Sequence, residues 1–151
     1  MSSTTQNRNF RKVDVDKYDE DAYQEDTATQ SASFNESAVN SSLSACNYSS
    51  AIKLICSSSV ISSDDQKQKM SLVDAFIRLN SGIKSSNIDE LVKSLSEEDK
   101  NNLIKVIYMA FWARPEADHS LTHVWFDKVF AHVGLGAIVR VMTDRKAVNF
   151  K

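Results

Sequence analysis

Residues 96–113 constrain this chain more than any other stretch. Ser96 followed by Asp99 has the capping-box pattern, so a helix starts there, with Glu97, Glu98 and Asp99 at the positive end of its dipole. From Leu103 onward the residues are Leu103, Ile104, Lys105, Val106, Ile107, Tyr108, Met109, Ala110, Phe111 and Trp112. At about 100° per residue these side chains point almost all round the axis, with only Lys105 interrupting. A helix that is apolar on every side has to be covered on every side. Burying each large side chain returns about 1.5–3 kcal/mol, and ordering each residue costs about 1.5 kcal/mol. Such a helix is unstable alone and needs several neighbours, supplied by the chain or by another protein.

The rest of the chain can supply helices but little else. Three glycines and one proline in 151 residues are few breakers, which favours an all-α fold over a turn-rich β fold. That length suits one domain with a real core. The formal charge of −2 gives no general reason to bind nucleic acid or an anionic membrane. It is unevenly spread: residues 1–46 carry 8 acidic and 4 basic side chains, net −4, and residues 47–151 carry 12 and 14, net +2. Cys46 and Cys56, ten apart, match no metal motif and read as reduced thiols. Met1-Ser2-Ser3-Thr4 has neither an apolar signal region nor a glycine for myristoylation, and Val106–Ala113, the longest apolar run, is far too short to span a bilayer. These features lead to the expectation of a soluble intracellular protein without membrane insertion.

Residues 1–34 read as a flexible N-terminal arm, rich in Ser, Thr, Gln, Asn and Asp, and residues 35–151 as a helical body. One island interrupts the arm. Phe10, Val13, Val15 and Tyr18 are set among Arg11, Lys12, Asp14, Asp16 and Lys17, with Val13 and Val15 at strand spacing. It reads either as a docking segment over 10–20 that orders on a partner, or as a strand or flap folding back on the body.

About seven helices follow. Val39, Leu43 and Cys46 mark the first, and Asn47 or Tyr48 opens the second, through Ala51, Ile52, Leu54 and Ile55. Ser63 with Gln66 forms a capping box ahead of a third, which Gly82 ends as a left-handed cap. Ser86 or Asn87 starts the fourth, and the opening helix is the fifth. Pro115 suits the first turn of the sixth, which carries Leu121, Val124, Trp125, Val129, Phe130 and Val133. Gly134-Leu135-Gly136 ends that helix. In the seventh, Leu135, Ile138, Val139 and Met142 form a stripe, Val141 points away from it, and Arg140 lies among apolar neighbours. A last helix with two apolar faces is either buried centrally or exposed as an interface. Residues 47–55 align without gaps with 87–95, a period of 40 that favours α-solenoid packing over a four-helix bundle.

No catalytic constellation emerges, and no cofactor is expected. His119 and His123 share a helix face as zinc ligands can, with His132 or an acid as third ligand, but the metalloprotease glutamate is absent and polar surface histidines are the better account. Gly134-x-Gly136 lacks the third glycine and follows a helix, so it is no nucleotide loop. No Gly-x-Ser-x-Gly elbow is present.

Two stretches resemble a known family: Phe10-Arg-Lys-Val-Asp-Val-Asp-Lys-Tyr-Asp-Glu20, and Gly134-Leu-Gly-Ala-Ile-Val-Arg-Val-Met-Thr-Asp-Arg-Lys146. Ser86–Leu95 and Leu103–Tyr108 are similar to it too. The family is subunit 5, the smallest, of the actin-related protein 2/3 complex. The chain departs from it in a Ser/Thr/Gln-rich stretch after Asp26 and in Asn149-Phe150-Lys151 beyond the usual end. The resemblance implies an all-helical α–α superhelix that is not an enzyme, docking on subunit 4 and on the β-propeller subunit. It implies an arm, Phe10 to Tyr18, reaching actin-related protein 2, and a cytoplasmic place in the actin cytoskeleton, at cortical patches or the leading edge. The contact residues expected are Phe10, Arg11, Lys12, Val13, Asp14, Val15, Asp16 and Tyr18 on the arm. On the last helix they are Ile138, Arg140 and Val141, as partner contacts or as core. The competing expectation is an unrelated α-solenoid adaptor that binds a partner peptide.

Overall fold

A computed structural model describes residues 33–144, all within the second of the chain's two units, Ser31–Lys151. Among the described residues there are seven α-helices, one 3₁₀ turn and no strand. The helices are α1 (Glu36–Ser44), α2 (Tyr48–Cys56), α3 (Gln66–Gly82), α4 (Ser85–Lys93), α5 (Glu97–Ala113), α6 (Ser120–Val133) and α7 (Leu135–Thr143). The 3₁₀ turn, Ser59–Ser62, lies between α2 and α3. The expected all-α superhelix is what forms.

The chain supplies the neighbours that α5 needs. α2, α3, α6, α7 and the 3₁₀ turn all pack on it. Leu103, Ile104, Val106, Ile107, Met109 and Ala110 are fully buried. Ser96 caps the helix as its spacing predicts, its Oγ accepting from the Asp99 N–H at 3.1 Å. α6 runs antiparallel to α5: Tyr108 meets Phe126 edge-on at 6.1 Å, and Phe111, one turn further, meets His123 at 4.9 Å. A buried polar link ties α3 to α6. The Trp125 indole donates to Asn80 Oδ1 at 2.9 Å, and Asn80 Nδ2 donates to Thr122 Oγ1 at 3.1 Å, so three polar groups are satisfied away from water.

Several helix ends differ from the sequence expectation, each for a local reason. Cys46 is not on the α1 stripe. It lies beyond the helix with φ 55°, where its N–H reaches Leu43 O and the Asn47 N–H reaches Ser42 O, a Schellman motif with cysteine where glycine is usual. Asp65, not Ser63, caps α3, accepting from the Lys67 and Gln68 N–H groups, while the Ser63 hydroxyl is spent on Val60 O. Gly82 is no left-handed cap either. The helix continues through it and ends at Ile83 in extended conformation. Its missing side chain makes room for α2 instead, since a Cβ there would stand 3.0 Å from the Tyr48 hydroxyl oxygen. α4 starts at Ser85 after an uncapped Lys84.

Pro115 belongs to the turn before α6 rather than to its first turn, with the Ala117 N–H donating to Arg114 O. The 40-residue echo holds for buried positions (Ile52 with Val92, Ile55 with Leu95) but not for caps, because Asn47 precedes α2 and Asn87 lies inside α4. Phe34, placed in the arm by composition, packs partly buried on the core, its N–H donating to Gln68 Oε1 at 3.1 Å.

Candidate interaction surface

Gly134, at φ 66°, ends α6 and begins α7 with no linker between them, a backbone conformation that favours glycine. The reversal lays α7 back on α5 and α6. Ala137 and Val141, one turn apart, are the buried side chains of this helix. Two polar ties hold its flank to α5: Arg140 Nη1 donates to Asn101 Oδ1 at 3.0 Å, and Lys105 Nζ pairs with Asp144 Oδ2 at 2.7 Å. Asp144 also acts electrostatically on Lys69, a buried lysine of α3. Burial pushes that ammonium's pKa down, while Asp64 and Asp144 oppose the shift.

The opposite face of α7 is apolar and uncovered by the described residues. Leu135 is 68%, Val139 54% and Met142 66% exposed, with Ile138 half-buried at the edge. Their spacing of four and three residues aligns them on one helical face, the pattern by which a helix packs against a partner's groove. Trp112, 61% exposed on the last turn of α5, and Leu54 on α2 are the other large exposed apolar side chains among the described residues.

Of the residues expected to touch a partner, Val141 belongs to the core, Ile138 lies at the boundary, and Arg140 is exposed but spent on Asn101. The segment Phe10–Tyr18 lies outside the described residues. Leu135, Val139 and Met142 were legible as a stripe. What composition could not say is which of two apolar faces turns inward, and the smaller side chains, Ala137 and Val141, do so because they permit close helix approach.

His119 and His123, the pair with zinc-ligand spacing, pack on an aromatic ring of α5. His119 Nε2 lies 2.8 Å from Arg114 O, and both His119 and His123 pack on the Phe111 ring, at 5.0 and 4.9 Å. Among the described residues no three His, Cys, Asp or Glu side chains cluster as a metal site, and no helix is long and apolar enough to cross a membrane.

A profile of the ARP2/3 complex 16 kDa subunit (p16-Arc) family matches residues 9–148. The chain belongs to that family. It is 29% identical over 150 residues to actin-related protein 2/3 complex subunit 5-C of Xenopus laevis, covering 98% of this chain and 100% of the relative. To subunit 5-B of the same frog it is 30% identical over 152 residues, with the same coverage. The human subunit 5-like protein is 29% identical over 153 residues, again at 98% and 100% coverage. The p16-Arc match spans all the described residues and begins at residue 9, so it takes in both the exposed α7 and the charged sequence at 10–20.

Proposed function

We propose that this chain is a non-catalytic structural subunit of an actin-related protein 2/3 complex, supporting actin filament nucleation and branching in the cytoplasm. The observation that carries this reading is the end-to-end match to relatives that bear the name of that complex's subunit 5. The exposed Leu135, Val139 and Met142 support it, because an apolar helix face of this kind calls for a protein neighbour. In this proposal the body docks by α7 on the complex core, at subunit 4 and the β-propeller subunit. The arm tethers actin-related protein 2 through Phe10, Val13, Val15 and Tyr18, with Arg11, Lys12, Asp14 and Asp16 between them. The fifteen positions from 19 to 33 connect that segment to Phe34. As a coil they span roughly 20–24 Å, and at most about 55 Å when extended. Such a tether keeps the actin-like subunit at high local concentration without locking its position.

Purification of the tagged full chain from cells tests the reading. The expected result is a fixed-stoichiometry assembly containing actin-related proteins; a solitary monomer, or an unrelated peptide partner, overturns it. Deletion of residues 1–20 is expected to leave the body in the complex while actin-related protein 2 dissociates more readily and nucleation falls.

A further inference from the structure

Asp144 stands where its charge is out of place. It follows the last turn of α7, at the negative end of the helix dipole, where a cation is favoured and a carboxylate is not. Two lysines from other helices compensate. Lys105 of α5 meets Asp144 Oδ2 at 2.7 Å, and the two side chains are only 17% and 23% exposed. Lys69 of α3, 1% exposed, carries a charge that Asp64 and Asp144 favour against the cost of burial. Asp64 is exposed, so solvent screens its share, whereas Asp144 acts from a partly buried position. The apolar attachment of α7 is slight by comparison. Its buried side chains, Ala137 and Val141, are small and remove little apolar area from water. Gly134 hinges one end of the helix, and the Arg140–Asn101 hydrogen bond on its flank is exposed. Asp144 is the tie at the other end.

We propose that Asp144 is an ionic latch, which pins the end of α7 to α3 and α5 through Lys69 and Lys105, so that α7 opens about Gly134 when that charge is removed. Docking of α7 and the charge on Lys69 are then linked. With the latch closed, a carboxylate stands near the buried ammonium in a setting of low dielectric. With α7 lifted, that carboxylate leaves, and keeping the ammonium charged in the interior becomes more costly. Loss of a partner matters far more to a buried charge than to a surface ion pair, whose strength solvent already limits. The buried lysine, a burden on a helical core, thereby holds the last described helix in place. The latch also makes α7 a unit that opens locally while α5 stays closed. It decides whether Leu135, Val139 and Met142 stand in a fixed row. The inference concerns this chain's own fold and does not depend on the complex.

Hydrogen exchange in the full chain tests it, followed at residues 138–141 of α7 and, for reference, at residues 104–110 of α5. Asp144→Asn keeps the shape of the side chain and removes its charge. On dipole grounds alone that change slows exchange in α7 or leaves it as it was. The latch gives the opposite sign: exchange in α7 is expected to quicken roughly fivefold or more, with α5 unchanged. Unchanged or slower exchange in α7 overturns the proposal, and so does an equal quickening in α5. In a chain that already carries Lys69→Met and Lys105→Met, adding Asp144→Asn is expected to affect α7 much less; an undiminished effect overturns the latch. Salt gives a readout that needs neither lysine variant. Raising sodium chloride from about 0.05 M to about 0.5 M weakens the pairing by screening. Exchange in α7 is then expected to quicken in the parent chain and barely in Asp144→Asn; equal salt dependence in the two overturns the latch.

Discussion

α5 and α7 are both apolar on opposite faces, yet the molecule treats them differently. α5 is surrounded by α2, α3, α6, α7 and the 3₁₀ turn, and its six aliphatic residues from Leu103 to Ala110 are sealed. α7 touches α5 and α6 and shows three large side chains to solvent. Position in the chain accounts for the contrast. α5 has helices before and after it in sequence that fold onto it from both sides. α7 comes last among the described helices, and among the described elements those that cover it, α5 and α6, both precede it. The lesson is that the same apolar pattern is sealed in the middle of a superhelix and left open at its edge.

The contrast breaks most sharply at Ile107. Ile107→Ala is expected to cost about 2–5 kcal/mol, read from urea unfolding of the full chain, because it opens a cavity beside a fully buried position of the helix on which five elements pack. Val139→Ser, on the open face of α7, is expected to change stability by no more than about 0.5 kcal/mol. Equal costs at the two positions would show that α7 is covered after all.

A middle-sized effect is expected at Asn80. Asn80→Ala leaves the Trp125 N–H and the Thr122 hydroxyl without their partner, and about 1–3 kcal/mol should be lost in the same assay. Gly134→Ala comes next. Nothing lies within 4 Å of the added Cβ, so its cost is backbone strain alone, about 1–3 kcal/mol, because φ 66° with ψ −167° is a region that essentially only glycine occupies. Because that strain is placed at the hinge of α7, hydrogen exchange should quicken in α7 and leave α5 as it was.

The smallest stability effect is expected to carry the largest functional one. Replacing Leu135, Val139 and Met142 together by Ser should leave the unfolding midpoint of the isolated chain nearly unchanged. Retention of the subunit in its purified assembly should fall at least tenfold. Undiminished retention would move the docking surface elsewhere on the body.

Much of this architecture was legible before any coordinates. The Ser96 cap, the apolar run that is buried over Leu103–Ala110 and the break at Gly134 are local features, and each follows from spacing and backbone chemistry. Choices between equivalent neighbours were not legible. Ser63 and Asp65 can both cap a helix, and the Val60 carbonyl claimed the Ser63 hydroxyl. A glycine near a helix end suggests a left-handed turn, but at Gly82 the approach of Tyr48, 34 residues earlier in the chain, was what required it. Cys46 adopts that conformation instead, with nothing in its side chain to announce it.

The amino-acid order alone determined that this chain would be helical, with one helix too apolar to face water, because periodicity and capping act within a few residues. Which face of α7 turned inward, and hence which side chains remained to meet another surface, only the tertiary structure decided. Two apolar faces of one helix are equivalent until the shape of the neighbours admits Ala137 and Val141 and leaves Leu135, Val139 and Met142 outside.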